Sequence, residues 1–157
     1  MSADGPGAAA SQDGDILYVG LDLGTSQSSI ETSTDIRRTV TSVVGWPKDL
    51  ISYKFLQKQV VIGDECLAHR MAVDMIWPRE HGVFRARPEG EPSGEDDREA
   101  EAIEHLVSYV IELSEANPNQ EIRAVIGCPA RATPEDRQAL IDAVSGLVSH
   151  AMVASEP

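Results

Sequence analysis

The chain has 157 residues, 41% of them hydrophobic but only 4% aromatic, so it can form one ordinary domain with a core of Val, Ile, Leu and Ala. A formal net charge of -13 argues against nucleic-acid binding through the general surface and against contact with anionic membranes, except where local geometry overrides the charge. Cys66 and Cys128 sit in apolar runs without CxxC partners and read as buried, reduced thiols; the four histidines show no ligand spacing, and no apolar run approaches the ~20 residues of a membrane span.

Residues 1–14 are rich in Gly, Ala, Ser and Asp. They lack the basic start and apolar centre of a secretory signal and read as a disordered tail. Ile16 to Val19 begins a strand, and Gly24-Thr25-Ser26 forms a turn. Ser28 to Thr32 returns as the second half of a hairpin. Arg38 to Val44, rich in β-branched residues, predicts a third strand. Gly45-Trp46-Pro47-Lys48 breaks that pattern and opens an insertion that runs to about Pro78. The insertion carries a strand at Val60 to Ile62 and a short helix capped by Asp64. His81 to Phe84 leads back to the main body.

Residues 86–102 are acidic and hold two prolines and two glycines, which predicts a solvated loop whose last acids favour a helix start. Ile103, Leu106, Val107, Val110 and Ile111 then recur at helical spacing. Asn117-Pro118 ends that helix. Ile122 to Cys128 is a short buried strand. Thr133-Pro134-Glu135-Asp136 is a capped helix start, and Leu140, Ile141, Val144, Leu147 and Val148 make its apolar stripe. A last strand runs from Ala151 to Ala154. Strands that alternate with amphipathic helices predict an α/β fold with a partly parallel sheet.

The segment that carries chemistry is Gly20-Leu21-Asp22-Leu23-Gly24-Thr25-Ser26. A tight turn at Gly24 can bring backbone N–H groups close to a phosphate, and Thr25 and Ser26 add hydroxyl donors. Asp22 can hold Mg²⁺ through water molecules. Taken alone, the segment is equally readable as an ordinary hairpin turn.

Its context resembles the first phosphate loop of the actin, Hsp70 and sugar-kinase superfamily. Four further segments are similar to those of bacterial actins, in the family's order: Ser42-Val43-Val44, Val61-Ile62-Gly63-Asp64-Glu65, Trp77 to Val83, and Val125-Ile126-Gly127-Cys128-Pro129. Ser42 to Asp49 and Pro129-Ala130-Arg131-Ala132 resemble the magnetosome-aligning branch. The metabolic kinases of the superfamily share the loop but match these other segments less well.

The resemblance implies a ribonuclease-H-like α/β half-domain of an actin ATPase: a mixed sheet with flanking helices and a small inserted subdomain. Residues 15–45 with 82–157 would form the core subdomain, and residues 46–81 the inserted one. It implies ATP and Mg²⁺ as cofactors. Gly24, Thr25, Ser26 and Gln27 would contact phosphates, Asp22 would hold the metal through water, and Glu156 would position the attacking water. It implies self-assembly into cytoplasmic, cytoskeletal filaments, without nucleic acid or membrane insertion, and an acidic organelle-attachment protein as a partner. The family's second phosphate loop and adenosine segment have no counterpart within residues 1–157. The sequence therefore reads as the N-terminal half of such an ATPase. The other reading is a short relative, inactive as an enzyme, that binds and regulates filaments.

Overall fold

The computed structural model describes residues 16–78 and 95–155. The expected tail, the return segment at His81 to Phe84, most of the acidic stretch and Glu156 lie outside the described residues.

The main sheet starts with β1 (Ile16–Leu23), where Leu17, Val19, Leu21 and Leu23 are buried and Tyr18, Gly20 and Asp22 are exposed. That period of two places one face on a core and leaves the other open. β2 (Gln27–Thr32) and β3 (Arg37–Thr41) follow as antiparallel neighbours. β7 (Glu121–Cys128) and β8 (His150–Ser155) add to the other side of β1 in parallel. The strand order is β3-β2-β1-β7-β8.

Parallel neighbours need long crossovers, and helices supply them. α3 (Glu95–Glu112) precedes β7, and α4 (Pro134–Val144) joins β7 to β8. The predicted stripe of α3 is buried in full, and Ala139, Leu140 and Val144 of α4 join it in one core with the inward residues of β1. Both helices thus cover the same face of the sheet. On the other face Tyr18 is 52% exposed, Val125 41% and Met152 61%.

α3 starts at Glu95, earlier than the sequence suggested. Acidic residues are favoured at the positive end of a helix, so the end of the acidic run continues the helix rather than the loop. α4 stops at Val144, and Leu147 and Val148 lie in the turn after it. Its start is as expected: Thr133 accepts from the Asp136 N–H at 3.2 Å, and Asp136 accepts from the Thr133 N–H at 2.9 Å.

The largest departure is at Ser42. The sequence predicts one strand from Arg38 to Val44, but β3 ends at Thr41 and β4 (Val44–Pro47) belongs to a second sheet. Tertiary bonds pinch the chain there. Ser42 N–H donates to the Ser26 carbonyl at 2.9 Å, Val43 N–H to the Thr41 carbonyl at 2.8 Å, and the buried hydroxyls of Ser28 and Ser42 lie 2.8 Å apart. Gly45-Trp46-Pro47, expected to break the structure, instead forms most of β4, with Pro47 at its final position. The small sheet has the order β5-β4-β6, all antiparallel, with β5 at Val61–Ile62 and β6 at Val73–Ile76.

α1 (Leu50–Leu56) and β6 were not among the predicted elements. α1 buries no residue, so no apolar stripe announces it; Asp49 caps it by accepting from Ser52 N–H at 2.7 Å. α2 (Asp64–Ala68) is present, but Asp64 does not cap it. Gly63 is the N-cap, and the Asp64 carboxylate accepts a hydrogen bond from the Thr41 hydroxyl instead. Trp46 ties the small sheet to α3: His105 meets its ring edge-on at 6.2 Å, and the Arg98 guanidinium lies 5.8 Å from its centre.

Val43, Val61, Cys66 and Val73 form the small sheet's own core. The Cys66 thiol donates to the Val61 carbonyl at 2.9 Å. Burial, with Glu65 adding to it, pushes its pKa from 9.0 up to about 11. The native state therefore holds this proton more tightly than the unfolded chain. The stability it contributes is complete below about pH 9 and is lost as pH rises toward 11. At pH 8 the thiolate population is about a hundredfold below that of an ordinary thiol. Peptide mapping after brief iodoacetamide treatment at pH 8 is expected to find Cys66 unmodified in the native protein and modified in urea. Equal labelling in both would mean that the pocket opens readily.

Candidate nucleotide site

β1, β7 and β8 run parallel, so their carboxyl ends share one edge of the sheet, where ligands of open α/β sheets bind. The predicted phosphate loop is at that edge. Asp22 is the penultimate residue of β1 and is exposed; it pairs with Ser29 of β2 and Gly127 of β7. The small side chains at both neighbours leave the space around its carboxylate open. An open depression of about 500 Å³ lies over this part of the sheet, with Gly20, Asp22, Ser29, Gly127 and Ala154 in its lining.

The turn that follows is tightly closed. Gly24 N–H donates to the Gln27 carbonyl at 3.1 Å. A β-carbon at Gly24 would fall inside the van der Waals envelope of that same carbonyl oxygen, so the turn requires glycine for space. Thr25, Ser26 and Gln27 are exposed at its tip. Among the described residues, the N–H groups of Thr25 and Ser26 have no backbone acceptor. The bond from Ser42 to the Ser26 carbonyl fixes the turn from behind. The structure thus brings Asp22, Gly24, Thr25, Ser26 and Gln27 to one place.

Sequence reasoning missed the part played by Ser28 and Ser42. Both are fully buried hydroxyls, and each is the other's partner behind the loop. The only signal was a polar residue at an inward strand position. Among the described residues, no group of three or more His, Cys, Asp or Glu side chains could hold a metal. Asp22, as a single exposed carboxylate beside a turn with open N–H groups, fits Mg²⁺ carried with its own waters and with phosphate oxygens. No described helix is long and apolar enough to cross a membrane.

Three antiparallel strands, two parallel strands reached by helical crossovers and a glycine turn at the end of the first strand make up an actin-like fold, with a mixed sheet and flanking helices. Solved structures agree. The chain matches MreB5 of Spiroplasma citri bound to ADP at 14% identity and a TM-score of 0.63, over 89% of this chain and 38% of that one, a likeness of fold.

The sequence is similar to the actin-like protein MamK. It is 38% identical to MamK of Paramagnetospirillum magneticum over 141 residues, 90% of this chain and 38% of that protein. The figures for MamK of Magnetospirillum gryphiswaldense are 38%, 90% and 37%. Two solved MamK structures match at 38% identity. One, a double helical filament, has a TM-score of 0.78 over 90% of this chain and 41% of that one. The other, a non-polymerising mutant bound to AMPPNP, has a TM-score of 0.74 over 91% and 42%. The chain therefore spans about two fifths of the length of the relatives it matches. No protein-family model matches it.

Proposed function

We propose that this chain supplies the phosphate-loop side of a Mg-ATP site in an ATP-dependent, filament-forming bacterial actin. The observation that carries this reading is the closed turn at Gly24, with open N–H groups at Thr25 and Ser26 beside the exposed Asp22. Bound nucleotide in a similar MamK structure supports it. The roles are those of the loop chemistry. Backbone and hydroxyl donors of Thr25 and Ser26, with Gln27, hold phosphate oxygens. Asp22 orients a hydrated Mg²⁺. The ion's positive charge offsets the repulsion between a polyphosphate and a chain of net charge -13. Glu156 orients the water that attacks the terminal phosphate, and the metal and N–H donors stabilise the charge that develops.

Residues 15–45 with 82–157 form the core subdomain in this reading, and residues 46–81 the smaller one, with the join inside β4. The smaller part presents Ile51, Phe55 and Met71 at 79%, 68% and 83% exposure. Apolar side chains so exposed suit a contact with the next protomer of a filament. The filament structure of the similar MamK supports self-assembly. The cellular role is then cytoskeletal, in the cytoplasm, and concerned with positioning magnetosomes through an acidic attachment protein.

The test is a calorimetric titration with Mg-ATP of the complete natural chain that carries this sequence. Asp22→Ala is expected to weaken binding about tenfold or more, roughly 1.4 kcal/mol, while affinity for ATP in excess EDTA stays as in the parent. The melting temperature should not move, since Asp22 is exposed and holds no partner in the core. Unchanged Mg-ATP affinity would overturn the proposed site.

A further inference from the structure

The molecule carries an apolar knob on the side of the proposed nucleotide site and a depression on the side away from it. The knob is α1. It follows β4, which leads away from Ser42, and Ser42 is bonded to the Gly24 turn through Ser26. α1 therefore stands on the carboxyl-edge side of the main sheet. It buries none of its residues, and Ile51 and Phe55, one turn apart, share an exposed face.

The depression, of about 560 Å³, opens at the amino edge of the same sheet. Ile122 at the start of β7 and Ser149 just before β8 line it, with Ile111 near the end of α3 and Leu147 in the turn after α4. α3 connects the two ends. Its first half meets Trp46 of the small sheet through Arg98 and His105, and its last turn reaches the depression. With 18 residues it spans roughly 27 Å.

The two surfaces are also complementary in charge. α3 and α4 both end at the depression, neither has a basic residue in its last turn, and Glu112 is in the lining. Carbonyl ends of helices carry partial negative charge and favour a cation. α1 brings one: Lys54, in its last turn, is next to Phe55 and exposed. Among the described residues neither Lys54 nor Glu112 forms an ion pair.

We propose that α1 of one copy docks in this depression of a second copy, with Ile51 and Phe55 against Leu147 and Lys54 toward Glu112, an inference that rests on the self-assembly proposed above. Different surfaces at opposite ends join copies head to tail, and such a contact repeats as an open filament when its rotation does not close a ring. The exposed apolar side chains of α1 are then covered in the assembly rather than in the single copy.

The experiment uses the complete natural chain that carries this sequence, assembled with Mg-ATP. Phe55→Cys and Leu147→Cys proteins are mixed and oxidised with copper phenanthroline; the native Cys66 and Cys128 are buried. A disulfide between one copy of each is expected, about tenfold or more above either variant alone. In sedimentation, Phe55→Asp and Leu147→Asp are each expected to raise the critical concentration about tenfold or more, with melting temperatures within a few degrees of the parent. Lys54→Glu and Glu112→Lys should each weaken assembly, and the two together should restore part of it, because opposite charges meet again across the contact. If Phe55→Cys alone crosslinks as well as the mixture, the knobs meet each other about a two-fold axis and the proposal is overturned. If the parent sediments while the mixture does not crosslink and the aspartate variants assemble normally, self-assembly stands but runs through another surface, which leaves the knob to a different protein and sinks this inference alone. A parent that does not assemble removes the self-assembly reading and this inference with it. A large fall in melting temperature for Leu147→Asp, with assembly of Phe55→Asp unchanged, would mean that another segment of the same chain fills the depression, which also overturns the proposal.

Discussion

Gly63→Ala is expected to destabilise the protein by about 4 kcal/mol, close to the whole stability of many domains. Two independent effects add at this position. Gly63 has φ +70 and ψ -139, a region that side chains rarely enter, and strain of that kind costs roughly 1–3 kcal/mol. A β-carbon there would also overlap the Val40 side chain, which is buried in the main core, and overpacking of that sort costs about 1–3 kcal/mol more. Neither neighbour can give way cheaply. Gly63 N–H is bonded to the Val43 carbonyl at 2.8 Å, where the chain passes from the main sheet to the small one. Chemical denaturation would read the change as a lower midpoint. A loss under about 1 kcal/mol would mean that the junction of the two sheets relaxes freely.

Gly24→Ala is expected to act on ligand rather than on stability. The added carbon overlaps the Gln27 carbonyl, so the bond from Gly24 N–H to that carbonyl must break and the turn must open. Thr25 and Ser26 then lose the arrangement proposed to hold phosphates. Mg-ATP affinity should fall by about thirtyfold or more, roughly 2 kcal/mol, in the same titration that tests Asp22. The turn is exposed and lies at the sheet's edge, so the melting temperature should change by only a few degrees. Unlike the loss at Asp22, this one should persist in EDTA, because it removes donors to phosphate rather than a seat for the metal. Equal affinity for parent and variant would show that the loop does not bind phosphate in its closed form.

Much of the main sheet was legible in the sequence because its signals are local. β1 alternates with period two, the apolar residues of α3 repeat with helical period, and Thr133 to Asp136 spells a capping box. The loop residues from Asp22 to Gln27 were legible for the same reason: a turn between two short strands leaves its tip exposed whatever surrounds it. The α/β class with a partly parallel sheet followed from the order of these elements; the actin-like fold followed from the resemblance of its segments to bacterial actins, and the actin-like structures of similar proteins agree with it.

Only the tertiary structure decided the rest. One β-branched run from Arg38 to Val44 became two strands in two sheets, because Ser42 is bonded to Ser26 and Ser28, residues distant in sequence. Asp64 caps no helix, because Thr41 reaches it first. α1 has no buried stripe for periodicity to reveal. Arg137 meets Ser155 only after a helix and a strand have packed side by side. Periodicity and capping report what a residue does with its near neighbours in sequence. Each of these four features depends on a partner, or a lack of one, that folding alone determines.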